Sequence, residues 1–106
     1  MDKAQLLKGI LEGCILKIID NHETYGYEIV TKLQEYGFSD AKEGTLYPLL
    51  LRLEKKQLIQ GVFKENPLGP KRKYYHLTDE GKEYVKSFYE NWKEVEQLVR
   101  NIFLEV

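Results

Sequence analysis

Apolar residues recur at helical spacing in four stretches of this chain and crowd into two short β-type stretches between the third and fourth. From Gln5 to Asp20, Leu6, Leu7, Ile10, Leu11, Cys14, Ile15, Leu16, Ile18 and Ile19 cover more than half of a helical wheel. One buried face does not need that many, so this helix is expected to touch its own domain on one side and a partner chain on the other. Gly9 and Gly13, four apart, would let another helix approach closely. Asp20, Asn21 and His22 break the pattern, and Thr24 is expected to cap a second helix that runs through Tyr36 with Ile29, Val30 and Leu33 inward. Gly37 ends it.

A polar turn leads to a third helix whose inward face is Leu46, Leu49, Leu50 and Leu53, ending near Gln57. Proline is tolerated only near a helix start, so either Thr45 caps this helix with Pro48 in its first turn, or the helix begins earlier and bends. Its outward face holds Gly44, Pro48, Leu51 and Lys55, flanked by Thr45, Tyr47 and Arg52. Residues 59–65 and 71–77 are rich in β-branched and aromatic side chains, and the Asn66 to Pro70 segment between them has hairpin chemistry. Tyr75 and Leu77 share one face and are expected in the core, leaving Tyr74 on the surface. Thr78, followed by Asp79 and Glu80, starts a long helix to about Phe103. In it Val85, Phe88, Trp92, Val95, Val99 and Ile102 make a heptad seam that implies a partner helix.

The chain has 106 residues, 42% of them hydrophobic, which suffices for one core and leaves no room for a second domain. No apolar run approaches the ~20 residues of a membrane span, and the opening MDKAQLLKG lacks the order of a secretory signal, so the protein is expected in the cytoplasm. The formal net charge of −1 conceals an uneven distribution. Residues 1–41 hold four Lys or Arg and seven Asp or Glu, residues 42–76 hold eight and three, and residues 77–106 hold four and seven. The third helix and the hairpin are therefore basic, between acidic ends.

Candidate chemistry is sparse. Cys14 lies on an apolar face without a nucleophile or metal partner and reads as packing. Asp20, His22 and Glu23 cluster at a helix end, where polar residues cap and solvate, and His76 stands alone on a strand, so no metal is expected. Without an activated Ser, Cys or Lys, or a phosphate-cradling glycine loop, neither catalysis nor a cofactor is expected.

Helix, helix, turn, helix, two-stranded hairpin and long helix is the order of a winged helix-turn-helix with an added C-terminal helix. In that fold class, mainly α with a β wing, the third helix enters the major groove and the wing reaches phosphates. These are the elements that carry the positive charge. Residues 1–77 are read as the DNA-binding part and residues 78–106 as the dimerisation helix of one compact unit.

Three stretches, Tyr25-Gly26-Tyr27-Glu28-Ile29, Gly44-Thr45-Leu46-Tyr47-Pro48-Leu49-Leu50-Leu51-Arg52-Leu53-Glu54 and Gly69-Pro70-Lys71-Arg72-Lys73-Tyr74-Tyr75-His76-Leu77-Thr78, resemble the signature segments of the PadR-like transcriptional regulators. The resemblance covers nearly the whole chain. It implies a homodimeric winged-helix protein, usually a repressor, on a two-fold operator in double-stranded DNA. The single C-terminal helix resembles the short subfamily, which includes multidrug-sensing repressors whose paired tryptophans sandwich flat, often cationic compounds between the chains.

On this reading Thr45, Tyr47, Pro48, Leu51, Arg52 and Lys55 meet base edges or flanking phosphates, with Leu51 suited to a thymine methyl. Lys64, Lys71, Arg72 and Lys73 neutralise phosphates beside Tyr74 on the wing. Leu7, Ile10 and Leu11 join the Val85, Phe88, Trp92, Val95, Val99 and Ile102 seam in the dimer interface. Trp92, Phe88 and Glu96 are the candidate effector residues, since aromatic faces and a carboxylate suit a flat cation. Trp92 could equally fill the interface, with Phe88 beside it and Lys17 paired to Glu96. A winged-helix adaptor that has lost specific DNA binding and offers its basic face to an acidic partner is the alternative function.

Overall fold

The computed structural model describes residues 1–105, so Val106, the last residue of the expected dimerisation segment, lies outside the described residues. The elements are α1 (Lys3–Leu6), α2 (Ile10–Asn21), β1 (Thr24–Tyr25), α3 (Gly26–Glu35), α4 (Glu43–Lys55), β2 (Ile59–Asn66), β3 (Gly69–Leu77) and α5 (Asp79–Phe103). The fold is mainly helical with a small antiparallel sheet in the order β1-β3-β2, as a winged helix-turn-helix requires, and α5 is the added long helix.

Four local expectations are corrected. The single helix over 5–20 is two: Gly9 adopts φ +82°, a left-handed conformation that glycine enters without strain, and the chain turns there before α2. Among the described residues no neighbour comes within 4 Å of where a Cβ on Gly9 would stand, whereas Gly13 has an aromatic ring over it, so only Gly13 is used for a close approach within the chain. Thr24 is not a helix cap. It is fully buried in β1 opposite Tyr75, its hydroxyl donates to Glu28 Oε1, and Tyr25 is the α3 N-cap residue. The sheet accordingly has three strands rather than two, because β1 pairs along β3 on the side away from β2.

The two alternatives for Pro48 resolve to the earlier start. α4 begins at Glu43 after an extended Lys42, whose carbonyl accepts from Thr45 N at 3.1 Å and Leu46 N at 3.0 Å. Pro48 is the sixth residue of α4 and has no N–H for the Gly44 carbonyl. Just past the C-caps of α3 and α4 stand residues of positive φ, Gly37 and Gln57, and the next N–H returns to the last turn: Phe38 N to Leu33 O at 2.9 Å, Leu58 N to Leu53 O at 3.0 Å.

The core lies where α2, α3, α4 and the base of the sheet meet, with Ile15, Leu16, Ile19, Ile29, Leu33, Leu50, Leu53 and Ile59 essentially inaccessible. Tyr75 and Leu77 join it, as the strand alternation predicts. Thr78 fixes the start of α5: its hydroxyl donates to Gln57 O at 2.7 Å and accepts from Gly81 N at 3.0 Å. Among the described residues no helix is long and apolar enough to cross a membrane.

Candidate nucleic-acid interface

Burial of Leu46, Leu50 and Leu53 turns the other side of α4 outward, and Thr45, Tyr47, Pro48, Leu51, Arg52 and Lys55 are all exposed. Leu51 keeps more than half of its surface in solvent, an unusual place for a leucine on the outer side of a core helix. Tyr47 leans back on α3 across Gly26, where an added Cβ would stand 2.7 Å from the tyrosine Cε1. Partial burial and then Glu43 push the Tyr47 hydroxyl above its ordinary range, so at neutral pH it is a donor.

The basic residues are less free than the sequence suggests. Arg52 points towards α2 and donates through Nη2 to Glu12 Oε1, while Lys56 lies 3.7 Å from Glu12 Oε2. Lys64 is hydrogen-bonded to Glu23 and stands 5.1 Å from the centre of the Tyr74 ring. Arg72 covers Tyr25 at 4.5 Å, and the Tyr25 and Tyr74 rings meet edge to face at 5.2 Å. These contacts make a braced ladder of cations and aromatic rings on the wing, with Tyr74 half-buried inside it. Lys73 Nζ donates to Glu54 Oε1 at 2.8 Å and lies 5.6 Å from the Tyr75 ring. Lys71 has only an exposed pairing with Glu65 at 3.5 Å, and Lys55 makes no ion pair among the described residues. Of the expected DNA-contacting cations, Lys55, Lys71 and Arg72 are thus the least engaged by carboxylates among the described residues.

A second feature lies along α5. With α2 it walls a groove of about 1630 Å³ lined by Leu7, Ile10, Val85, Phe88, Trp92, Val95, Glu96 and Val99. The three candidate effector residues therefore share one groove wall, and Trp92 is 38% exposed there. Leu11 is not among the residues lining this groove; it is partly buried against the core. Ile102 lies beyond the groove and is largely exposed. Among the described residues of the single chain, Lys17, which could pair with Glu96, meets Asp20 at 3.7 Å instead, and Glu96 accepts from Arg100 Nη2 at 3.0 Å, both partners being one turn away on the same helix. Cys14 lines the groove half-buried, and burial raises its thiol pKa, the direction of an unreactive cysteine.

Several side chains escaped the sequence reading. Glu12, Glu23 and Glu54 compensate three of the expected DNA-contacting cations, but two of these pairs span about forty residues of chain, beyond any local pattern. Leu68 stands at the wing tip, 91% exposed, with its N–H on Asn66 Oδ1 at 3.2 Å. A lone leucine between two prolines was the available signal. Tyr89 and Leu98 widen the exposed apolar strip of α5 beyond the heptad positions.

The chain matches the model of the transcriptional regulator PadR-like family over residues 15–87. It is 52% identical to a PadR-like transcriptional regulator from Bacillus cereus of known crystal structure, with 96% of this chain and 99% of that one covered and a TM-score of 0.87. A Streptococcus transcriptional regulator is 50% identical over 92% of this chain and 96% of its own, with a TM-score of 0.84. An uncharacterized protein of Lysinibacillus sphaericus is 35% identical over 107 residues, 99% of this chain and 97% of that protein.

Proposed function

This chain belongs to the PadR-like family of transcriptional regulators, and from that premise we propose that it is a homodimeric cytoplasmic repressor which binds a two-fold operator and is released by a small aromatic ligand. As a family member it is a DNA-binding regulator and not an enzyme. The observation that carries the finer reading is the exposed row Thr45, Tyr47, Pro48 and Leu51 on α4, held outward by the leucine face and joined to a wing bearing Lys71 and Arg72. That row supplies hydroxyls for base edges or phosphates and apolar carbon for thymine methyls. The wing supplies cations for phosphates, and Leu68 at its tip is the kind of apolar wedge that minor-groove contacts use.

In this proposal residues 1–77 bind DNA and residues 78–106 pair two chains. The exposed strip of α5 and the groove beside it support dimerisation, because an apolar surface of that extent is ordinarily covered. Enrichment of duplexes from a random-sequence pool by the purified protein tests the reading. A single two-fold sequence, bound far more tightly than random duplex at 150 mM salt, is the expected result. Binding without sequence preference, or none, favours the adaptor function, to which the compensation of Arg52, Lys64 and Lys73 by carboxylates would then belong.

A further inference from the structure

Among the described residues Glu12 is the only charged side chain that is buried, at 7% exposure. Such burial is tolerated because each oxygen meets a cation, Arg52 Nη2 at Oε1 and Lys56 Nζ at Oε2. Both cations come from the C-terminal end of α4. That end cannot shift against α2 without carrying Glu12 along or leaving a buried carboxylate without a partner. The next residue of α2, Gly13, is covered by the Phe88 ring so closely that an added Cβ would stand 2.5 Å from three ring carbons. One step of α2 thus touches the reading helix through an ion pair and α5 through a ring. α5 packs mainly on α2, whereas α4 packs mainly on α3 and β2, so the Glu12 ion pairs, rather than broad packing, join α2 to the end of α4.

We propose that the Glu12–Gly13 step of α2 couples the packing of α5 to the placement of α4, with Glu12 as a positioning residue for the reading helix. Close-packed contacts move as units, so a displaced Phe88 displaces Gly13, and Glu12 passes the shift to Arg52 and Lys56. The proposal rests on α4 as the DNA-reading helix and goes beyond that reading by naming how the α5 groove would reach it.

The test is a double-mutant cycle on the duplex that the wild-type protein enriches from a random pool. Gly13→Ala, which pushes the Phe88 ring, and Glu12→Gln, which removes the charge, are each expected to weaken that duplex about tenfold, and the double variant is expected to be no worse than either alone. Affinity for an unselected duplex should not fall, because the wing is untouched and Arg52 and Lys56 are released towards phosphates. Should Gly13→Ala fail to fold by circular dichroism, Phe88→Leu, which opens the contact without a clash, replaces it in the same cycle. Additive losses overturn the coupling, as do equal losses on selected and unselected duplexes. A wild-type protein that enriches no duplex overturns the DNA reading itself and this proposal with it.

Discussion

Lys73 Nζ stands 2.8 Å from Glu54 Oε1 and so ties the wing to the last turn of α4. The link is short and partly shielded from water, and it sets Lys73 apart from Lys71 and Arg72 as a source of positive charge. Removing all three wing cations should therefore lower the salt dependence of DNA binding by about two phosphate equivalents rather than three. Glu54→Gln should do the reverse, steepening the slope by about one as Lys73 is released. Fluorescence anisotropy over a range of salt concentrations checks both, and a loss of three in the Lys71, Arg72 and Lys73 triple alanine variant would show that the pairing does not survive on DNA.

The apolar strip on α5 predicts self-association. Glutamate at both Val95 and Val99 places charges on its middle turns and should turn a micromolar dimer into a monomer in sedimentation equilibrium. The wild-type protein as a folded monomer at that concentration would remove the basis of the homodimer.

Trp92 and Glu96 line one groove, yet Glu96 is already held by Arg100 at 3.0 Å. The site as it stands should thus take neutral planar aromatics about as well as cationic ones. Arg100→Ala should release the carboxylate and raise the preference for a cationic dye several-fold, read by quenching of Trp92 fluorescence. Quenching that is absent, or a preference that Arg100→Ala leaves unchanged, would argue that Trp92 only fills the interface.

Burial, with Glu54 and Tyr47 adding to it, pushes the Tyr75 hydroxyl up to about 12. A raised folded-state pKa means that the native protein holds this proton more tightly than the unfolded chain. The stabilisation is complete below the ordinary tyrosine value near ~10 and is lost as pH rises from there to about 12, about 2–3 kcal/mol in all. Denaturant titrations between pH 9 and 12 should show this loss in the wild type and a smaller one in Tyr75→Phe.

Where the fold was legible in the sequence, a single periodicity carried the information. The inward leucines of α4, the Thr78 cap and the long helix after it needed only spacing and capping chemistry and appear where those rules place them, whereas Pro48 left the start of α4 between two positions. The failures arose where two local rules competed. Thr24 is a good helix cap and also a good strand residue, and the partner that decides between these, Tyr75, lies about fifty residues away. Gly9 within a run of leucines and isoleucines reads as a tolerated helix glycine, but the chain uses its left-handed freedom to turn. At the candidate interface the outward row of α4 follows from the inward one. The carboxylates that engage Arg52, Lys64 and Lys73 do not, because pairing across the fold leaves no mark on local composition.

Gly81, in the first turn of α5, meets the Leu58 carbonyl so closely that an added Cβ would fall 2.1 Å from its oxygen. The angle at which α5 leaves the winged part is therefore set by backbone against backbone, with no side chain as cushion. About 33 Å of helix extends beyond that point, so a tilt of about 5° at residue 81 swings the far end by about 3 Å. In a dimer joined along this helix, the elbow at Gly81 acts as the pivot of a long lever. The separation of two operator half-sites would then be calibrated at the root of the helix, where Gly81 meets Leu58.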